Sequence, residues 1–304
     1  KEFKATKLPL HMIITNAGIL NWQGWVVSKD GFEEHLQANH LGHFLLVREL
    51  TPLLLLQARP RVISVGSELA QHASIQWSNM NDVEGFEAYM QSKLCNWLHM
   101  MELHVRHGTK APQMRTVCID PGEANTDIVR HFPMGWAIKI FLSVMPAWIT
   151  SQRTVEESAD TAVWCATVDD KTMADLSGKF VRDRKLFNTA GKTHLSPFAQ
   201  LFLAALVHQK HSTDSHGPEA ARRLWELCDS FVDGKVRLPE RAPKKKRSVA
   251  MAITMFVVIG LIHLLVFFLF HRFWGQAAAA PRHSGSTSAH AHASAKDGLG
   301  KALC

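Results

Sequence analysis

From residue 11 to about residue 181 the chain alternates between short apolar runs and longer stretches whose apolar side chains recur every three or four positions. The first pattern suits buried strands and the second suits helices with one face on a core. It predicts strands at residues 11–15 (HMIIT), 61–65 (RVISV), 114–119 and 179–181, and helices at residues 31–57, 86–107 and 154–167. Ser28 or Asp30 is placed to cap the first helix, and Thr154 with Glu157 has the spacing of a capping box for the third. Leu94, Leu98, Met101 and Val105 mark the buried stripe of the second. Strands that alternate with helices predict βαβ units and a parallel sheet, an α/β fold of the doubly wound kind. Residues 198–208 read as a short helix, and Pro218 opens another that runs to about residue 232.

Residues 249–270 (VAMAITMFVVIGLIHLLVFFLF) break this pattern. They are apolar on every side and hold no Asp, Glu, Lys or Arg. Their length matches the hydrocarbon core of a bilayer, which predicts a C-terminal transmembrane helix. The basic run Lys244-Lys245-Lys246-Arg247 outweighs His271-Arg272 on the far side, so a single-pass protein with its main domain in the cytosol is expected. The chain then divides into an α/β domain (1–236), a basic linker (237–248), the span (249–270) and an Ala-, His-, Ser- and Gly-rich tail (271–304) expected to be disordered.

Charge and cysteine usage narrow the function. The 304 residues carry a formal net charge of +7, much of it in the 244–247 run. Without an Arg/aromatic stripe or zinc-ligand spacing, no nucleic-acid partner is expected. The five cysteines are scattered and form no CxxC pair, which argues against a disulfide framework and for a reducing compartment. The chain begins at Lys1 without a signal-peptide apolar region. His40 and His43 lie three apart on a predicted helix but have no acidic or Cys companion, so no metal site is expected.

Tyr89 and Lys93 stand four apart on the helix predicted for residues 86–107 and share a face. An ammonium beside a phenol favours the phenolate and brings tyrosine towards acid/base work at neutral pH. Tyr89 is also the only tyrosine in the chain. Ser67 follows one predicted strand, Asn16-Ala17-Gly18 another, and Pro121-Gly122 a third. Singly, each reads as a turn. In this order, all at the strand ends where open α/β sheets bind ligands, they point to a site.

Together these motifs resemble the short-chain dehydrogenase/reductase superfamily, and within it the retinol dehydrogenase and WW-domain oxidoreductase group. The resemblance rests on TNAG (NNAG in the family), the QANHLGHF text around Asn39, SVGS, YMQSKLCN and DPGEANT, and runs from about residue 8 to residue 181. It implies a Rossmann-like fold and an NAD(P)-dependent oxidoreductase that interconverts an alcohol and a carbonyl on a lipophilic substrate such as a retinoid, steroid or lipid aldehyde. By that resemblance Tyr89 is the acid/base, Lys93 binds the nicotinamide ribose and lowers the Tyr89 pKa, Ser67 hydrogen-bonds the reacting oxygen, and Asn39 helps hold a water in the relay to Lys93. Asn16, Ala17 and Gly18 are expected to flank the adenosine side, and Pro121, Gly122 and Thr126 the nicotinamide end. The cofactor is expected to be NAD or NADP, with the choice unread. A homodimer is compatible with the resemblance, and the endoplasmic reticulum is the expected membrane.

The departures matter too. The family's first strand and glycine-rich TGxxxGxG turn would precede residue 8 by roughly 80 residues, and the turn is not among these 304. The sheet is therefore expected to lack its first strands and to present an edge at residues 11–15. Thr15 stands for Asn, and Gly66 stands for Ser, which is expected to add backbone freedom beside Ser67. If these residues act alone, a non-catalytic membrane-anchored adaptor is the reading from another class; the Asn39, Ser67, Tyr89 and Lys93 set favours the enzyme. Residues 132–149 occupy the family's variable substrate segment, where they line an apolar pocket, touch the bilayer or pack as a core helix pair. Carbonate extraction of the expressed chain tests the span: retention with the membranes is expected, and release into the soluble fraction counts against it.

Overall fold

The computed structural model describes residues 2–21, 24–110, 113–123, 153–187, 200 and 213–239. These residues fall within one compact unit, Lys1–Pro243. Among them a five-stranded sheet forms in the order β1 (Met12–Thr15), β2 (Arg61–Val65), β3 (Arg115–Asp120), β4 (Lys179–Arg182) and β5 (Lys185–Leu186). The first four strands run parallel, with Ile14 opposite Ile63, Ile63 opposite Val117, and Cys118 opposite Phe180. β5 turns back antiparallel to β4. Asp183 and Arg184, at φ 51° and 60°, make the tight turn between them.

Side chains alternate across the pleat and so sort into two cores. Val62, Cys118 and Phe180 face one layer, built with α2 (Gly42–Leu54), α3 (Gly85–Leu103) and α6 (Gly217–Val232). Ile63, Val65, Val117, Ile119 and Val181 face the other, built with α4 (Val155–Thr167) and α5 (Asp170–Leu176). The short α1 (Glu2–Thr6) precedes β1. Helices on both faces of a parallel sheet are the α/β architecture expected from the alternation. β1 lies at the edge of the described sheet, as expected, and leaves Ile14 exposed.

Several boundaries differ from expectation for local reasons. The helix expected from residue 31 starts at residue 34 and opens with a π-helical stretch, Leu36–Leu41, before α2. Gly31 sits at φ 84°, and Val27 bridges Glu33, so the chain is still turning at that point. The cap is Glu33, whose Oε2 accepts from the Leu36 amide at 2.8 Å; Ser28 holds the preceding turn by accepting from the Phe32 amide at 3.2 Å. α2 ends at Leu54, two residues after Pro52, which cannot donate to the ladder. α3 gives way to a second π-helical stretch, His104–Gly108. The Thr154–Glu157 capping box forms in both directions. α5, with Asp169 as its cap, went unanticipated because its seven residues follow α4 almost without a break.

Among the described residues no helix is long and apolar enough to cross a membrane. Residues 249–270 lie outside them, as do the 132–149 segment, the 244–247 run and the 271–304 tail; of residues 198–208 only residue 200 is described. Cys95, Cys118, Cys165 and Cys228 are free and buried.

α6 is joined to the rest through a buried histidine. His40 is fully buried, with Nδ1 3.0 Å from Asn96 Oδ1 of α3 and Nε2 3.3 Å from Cys228 Sγ of α6. Burial pushes its pKa down to about 4, and His43 adds to this while the Asn96 hydrogen bond opposes it. His99, edge-on to His40, is held well below the ordinary range by the same burial and by both histidines. In the unfolded chain both titrate near about 6.5, so between that pH and about pH 4 the unfolded state binds more protons. Stability is therefore full above about pH 6.5 and lost as pH falls, with His40 alone contributing on the order of 3 kcal/mol. Urea midpoints should fall between about pH 7 and pH 5, and less steeply in His40→Gln. A midpoint that does not change over this range would contradict the buried neutral imidazoles.

Candidate active site

The carboxyl ends of β1, β2 and β3 carry the residues that the sequence singled out. β2 ends at Val65, and the next amide, of Gly66, still donates to the Ile119 carbonyl of β3 at 2.8 Å. A Cβ at Gly66 would lie 2.6 Å from Cys118 Sγ and 2.9 Å from the Phe180 ring. Glycine here permits a close approach between strand end and core. The freedom expected of this residue is not its role, and it is not at positive φ. Ser67 follows in extended conformation, and its hydroxyl accepts from the Leu69 amide at 3.3 Å, capping the single turn Glu68–His72.

α3 brings Tyr89 and Lys93 to the same place. Both side chains are buried, and the Lys93 ammonium stands 5.7 Å from the centre of the Tyr89 ring. Lys93 Nζ donates to the Val65 carbonyl at 3.0 Å. Ser67 lies close enough to the Tyr89 phenol to act on its ionisation. The phenol packs between Phe86, stacked at 6.2 Å, and His35, edge-on at 6.3 Å.

Asn39 sits on the π-helical stretch ahead of α2. Its Nδ2 donates to the Ile19 carbonyl and to Ser92 Oγ, each at 3.0 Å, while its Oδ1 accepts from the Ile19 amide at 2.7 Å. Ser92 Oγ in turn donates to the Tyr89 carbonyl at 2.7 Å. π-helical turns inside helices are frequent at functional sites. Here the turn carries the amide that fastens the loop after β1 to α3. That loop passes close by, since a Cβ at Gly18 would lie 3.4 Å from Asn39 Oδ1 and 3.5 Å from Lys93 Nζ. Asn16 and Ala17 are exposed on the same loop. Its far end is held by His35, whose Nε2 accepts from the Asn21 amide at 2.8 Å, so its Nδ1 carries the proton and donates to Glu33 at 2.6 Å. Pro121 and Gly122 follow β3 directly; Gly122, at φ 75°, is covered by the Arg153 side chain. Thr126 lies outside the described residues.

Electrostatics correct one expectation. Lys93 was expected to lower the Tyr89 pKa. Instead the phenol is held above its ordinary value of 10, chiefly by burial and then by the charge of Asp120, with Ser67 opposing. The ammonium stands 5.7 Å from the ring centre and donates to the Val65 carbonyl, and burial outweighs whatever it contributes to a phenolate. Burial likewise pushes Lys93 down to about 8, opposed by Cys118 and Asp120. In the free site both groups therefore rest protonated at neutral pH.

Sequence reasoning quoted Asp120 and Ser92 within the DPGEANT and YMQSKLCN motifs but gave neither a role. Asp120 had a readable signal, since it is an acidic residue closing an otherwise apolar strand, RTVCID. Ser92 had none, because its partner Asn39 lies 53 positions away.

Residues 1–134 match the family described as short chain dehydrogenase. The WW domain-containing oxidoreductase of Danio rerio is 32% identical over 256 residues, covering 78% of this chain and 53% of that protein. Retinol dehydrogenase 11 of Homo sapiens is 32% identical over 238 residues, 75% of this chain and 63% of that protein. Polyprenol dehydrogenase of Mus musculus is 30% identical over 190 residues, 60% of this chain and 55% of that protein. The chain spans about half the length of the WW domain-containing relatives that it matches.

The packing around Gly66 yields a stability test. Gly66→Ala should lower stability by about 1–3 kcal/mol through overpacking against Cys118 and Phe180, and Cys118→Ala should return part of that loss. Chemical denaturation of the three variants measures it; a neutral Gly66→Ala would show that the strand end has room to spare.

Proposed function

Since residues 1–134 match the short-chain dehydrogenase family, we propose that this chain is an NAD(P)-dependent oxidoreductase that interconverts an alcohol and a carbonyl on a lipophilic substrate. The observation that carries this reading is the closeness of the buried Tyr89 phenol to Ser67, beside the buried Lys93 ammonium. Two matched relatives are named for retinol and polyprenol, both lipophilic alcohols, which supports the substrate class. The apolar stretch at residues 249–270 behind its basic run would place the site beside lipid-dissolved substrate. A single-pass anchor in the endoplasmic reticulum, with the domain of residues 1–236 in the cytosol, belongs to the same proposal, and a homodimer is compatible with it.

The residues present suit the cofactor in part. An ammonium has three N–H groups, and among the described residues Lys93 directs one to Val65; the others suit the paired hydroxyls of a ribose. Gly18 leaves the approach to Lys93 and Asn39 uncovered by a side chain. Asn16 and Ala17 would border the adenosine side, and Pro121, Gly122 and Thr126 the nicotinamide side. NAD or NADP, when bound, supplies or takes up the hydride.

The protein's own part is to place and move one proton. Ser67 Oγ and Tyr89 Oη together would hold the substrate oxygen. Tyr89, kept protonated by burial, would pass its proton to that oxygen as a carbonyl becomes an alcohol, and take it back in the reverse direction. Lys93 would bind ribose and carry the proton that restores Tyr89, and Asn39 would help hold a water in that relay.

Tyr89→Phe tests the assignment in a protein that also carries a glycine-rich turn ahead of residue 8. Turnover should fall by about 10²–10⁴-fold or more, and Lys93→Ala should be similarly severe. Undiminished turnover in Tyr89→Phe would remove the assignment. The 304-residue chain alone should bind NADH and NADPH weakly in isothermal titration, since no glycine-rich turn in it cradles the pyrophosphate; micromolar binding would show that other residues do so. No turnover in the longer protein on any alcohol or carbonyl tried would favour the adaptor.

A further inference from the structure

Three charged side chains with no part in the proton transfer meet beside the site. Arg182, the last residue of β4, extends its guanidinium to Glu68, next in sequence to Ser67, and to Oδ2 of Asp120 at 2.9 Å. All three are buried. Oδ1 of Asp120 accepts from the backbone amide of Glu68 at 3.1 Å. The loop that carries Ser67 is thereby tied to β3 through Asp120 and to β4 through Arg182. Arg182 also reaches the exposed Asp183 at 3.4 Å, and a buried charge is costly unless neighbours compensate it. The buried cation nearby is Lys93, held on the carbonyl of Val65, which pairs with Ile119 immediately before Asp120.

We propose that Asp120 is the positioning residue of this site: its carboxylate fixes the Ser67 loop through the Glu68 amide and supplies the buried counter-charge for the Lys93 ammonium beside Tyr89. The meaning of this role for turnover rests on the oxidoreductase reading; the electrostatics do not. The groups that face Asp120 are Glu68 from the loop after β2, Arg182 from β4, Tyr89 and Lys93 from α3, Cys118 of its own strand, and Arg153 ahead of α4. A negative charge here acts in the same direction on both functional groups of α3. It opposes the fall that burial imposes on Lys93 and adds to the rise of Tyr89. One carboxylate thus adds to what burial does for the phenol and offsets part of what burial does to the amine, favouring a site in which both are protonated.

The test uses the full 304-residue chain, with lysines labelled with carbon-13 at Cε and the Lys93 signal assigned through Lys93→Arg. The Lys93 midpoint, about 8 in the parent chain, should fall by about one pH unit in Asp120→Asn, a roughly tenfold rise in the ratio of neutral to charged amine at a given pH. Glu68→Gln should move it much less. Asparagine can still accept from the Glu68 amide, so hydrogen exchange at Glu68 should hold in Asp120→Asn and speed up roughly tenfold or more in Asp120→Ala. A purely structural Asp120 would alter exchange without moving Lys93 in Asp120→Asn.

An unmoved Lys93 midpoint in Asp120→Asn overturns the proposal, and so does an equal shift in Glu68→Gln. If Asp120→Asn does not fold, Asp120→Glu decides: the retained charge should keep the midpoint near 8, and a fall as large as that expected for asparagine contradicts the role. Turnover is read separately in the longer protein. A shifted Lys93 with no turnover in any form removes the oxidoreductase reading and keeps the positioning role; normal turnover with an unmoved Lys93 does the reverse.

Discussion

A lysine ammonium buried at the end of a β-strand is the constraint around which this site is built. Lys93 leaves water for a place where its one protein acceptor among the described residues is the Val65 carbonyl. An ion so placed is costly unless neighbours compensate it. The strand end supplies a carbonyl, β3 supplies the Asp120 charge, and Gly18 on the loop after β1 passes close to the ammonium without a side chain of its own. Tyr89, one helical turn away, shares the burial and so remains a phenol.

The fold serves that constraint through the parallel register. Val65 lies opposite Ile119, and Ile119 opposite Val181, so the residues just past these positions, Gly66, Asp120 and Arg182, emerge side by side. The two faces of the sheet are closed by separate helical layers, which makes the strand ends the natural opening. Asn39 then ties the loop after β1 to α3 through Ser92. The positions of Ser67, Tyr89, Lys93 and Gly18 thus depend on contacts between elements distant in sequence.

What the sequence made legible follows the same division. Strands β2 and β3, helix α4 with its capping box, and the start of α6 at Pro218 were readable because each depends on local pattern: an apolar run, a Thr-x-x-Glu spacing, a proline at a first turn. The start of the helix before α2 was not, because Glu33 caps it with help from Asn81, a partner 48 positions away. Tyr89, Lys93, Ser67 and Asn39 were legible as motif residues, and the structure brings Ser67 to Tyr89 and Gly18 to Lys93. The sign of the Tyr89 shift was not legible. Helical spacing gives the proximity of Lys93 but not the depth of burial, which decides it. Gly66 misled for a similar reason: a glycine's freedom is visible in sequence, while the Cys118 and Phe180 side chains that demand it are not.

Because Tyr89 is the only tyrosine in the chain, its ionisation can be read without assignment. Following the near-ultraviolet phenolate band of the folded, ligand-free protein as pH is raised tests most directly whether the site rests with its phenol protonated and buried. The account predicts that phenolate appears only well above the ordinary tyrosine midpoint of about 10, or together with unfolding. A reversible transition in the folded protein at or below that midpoint would contradict it and restore Lys93 as the group that governs Tyr89.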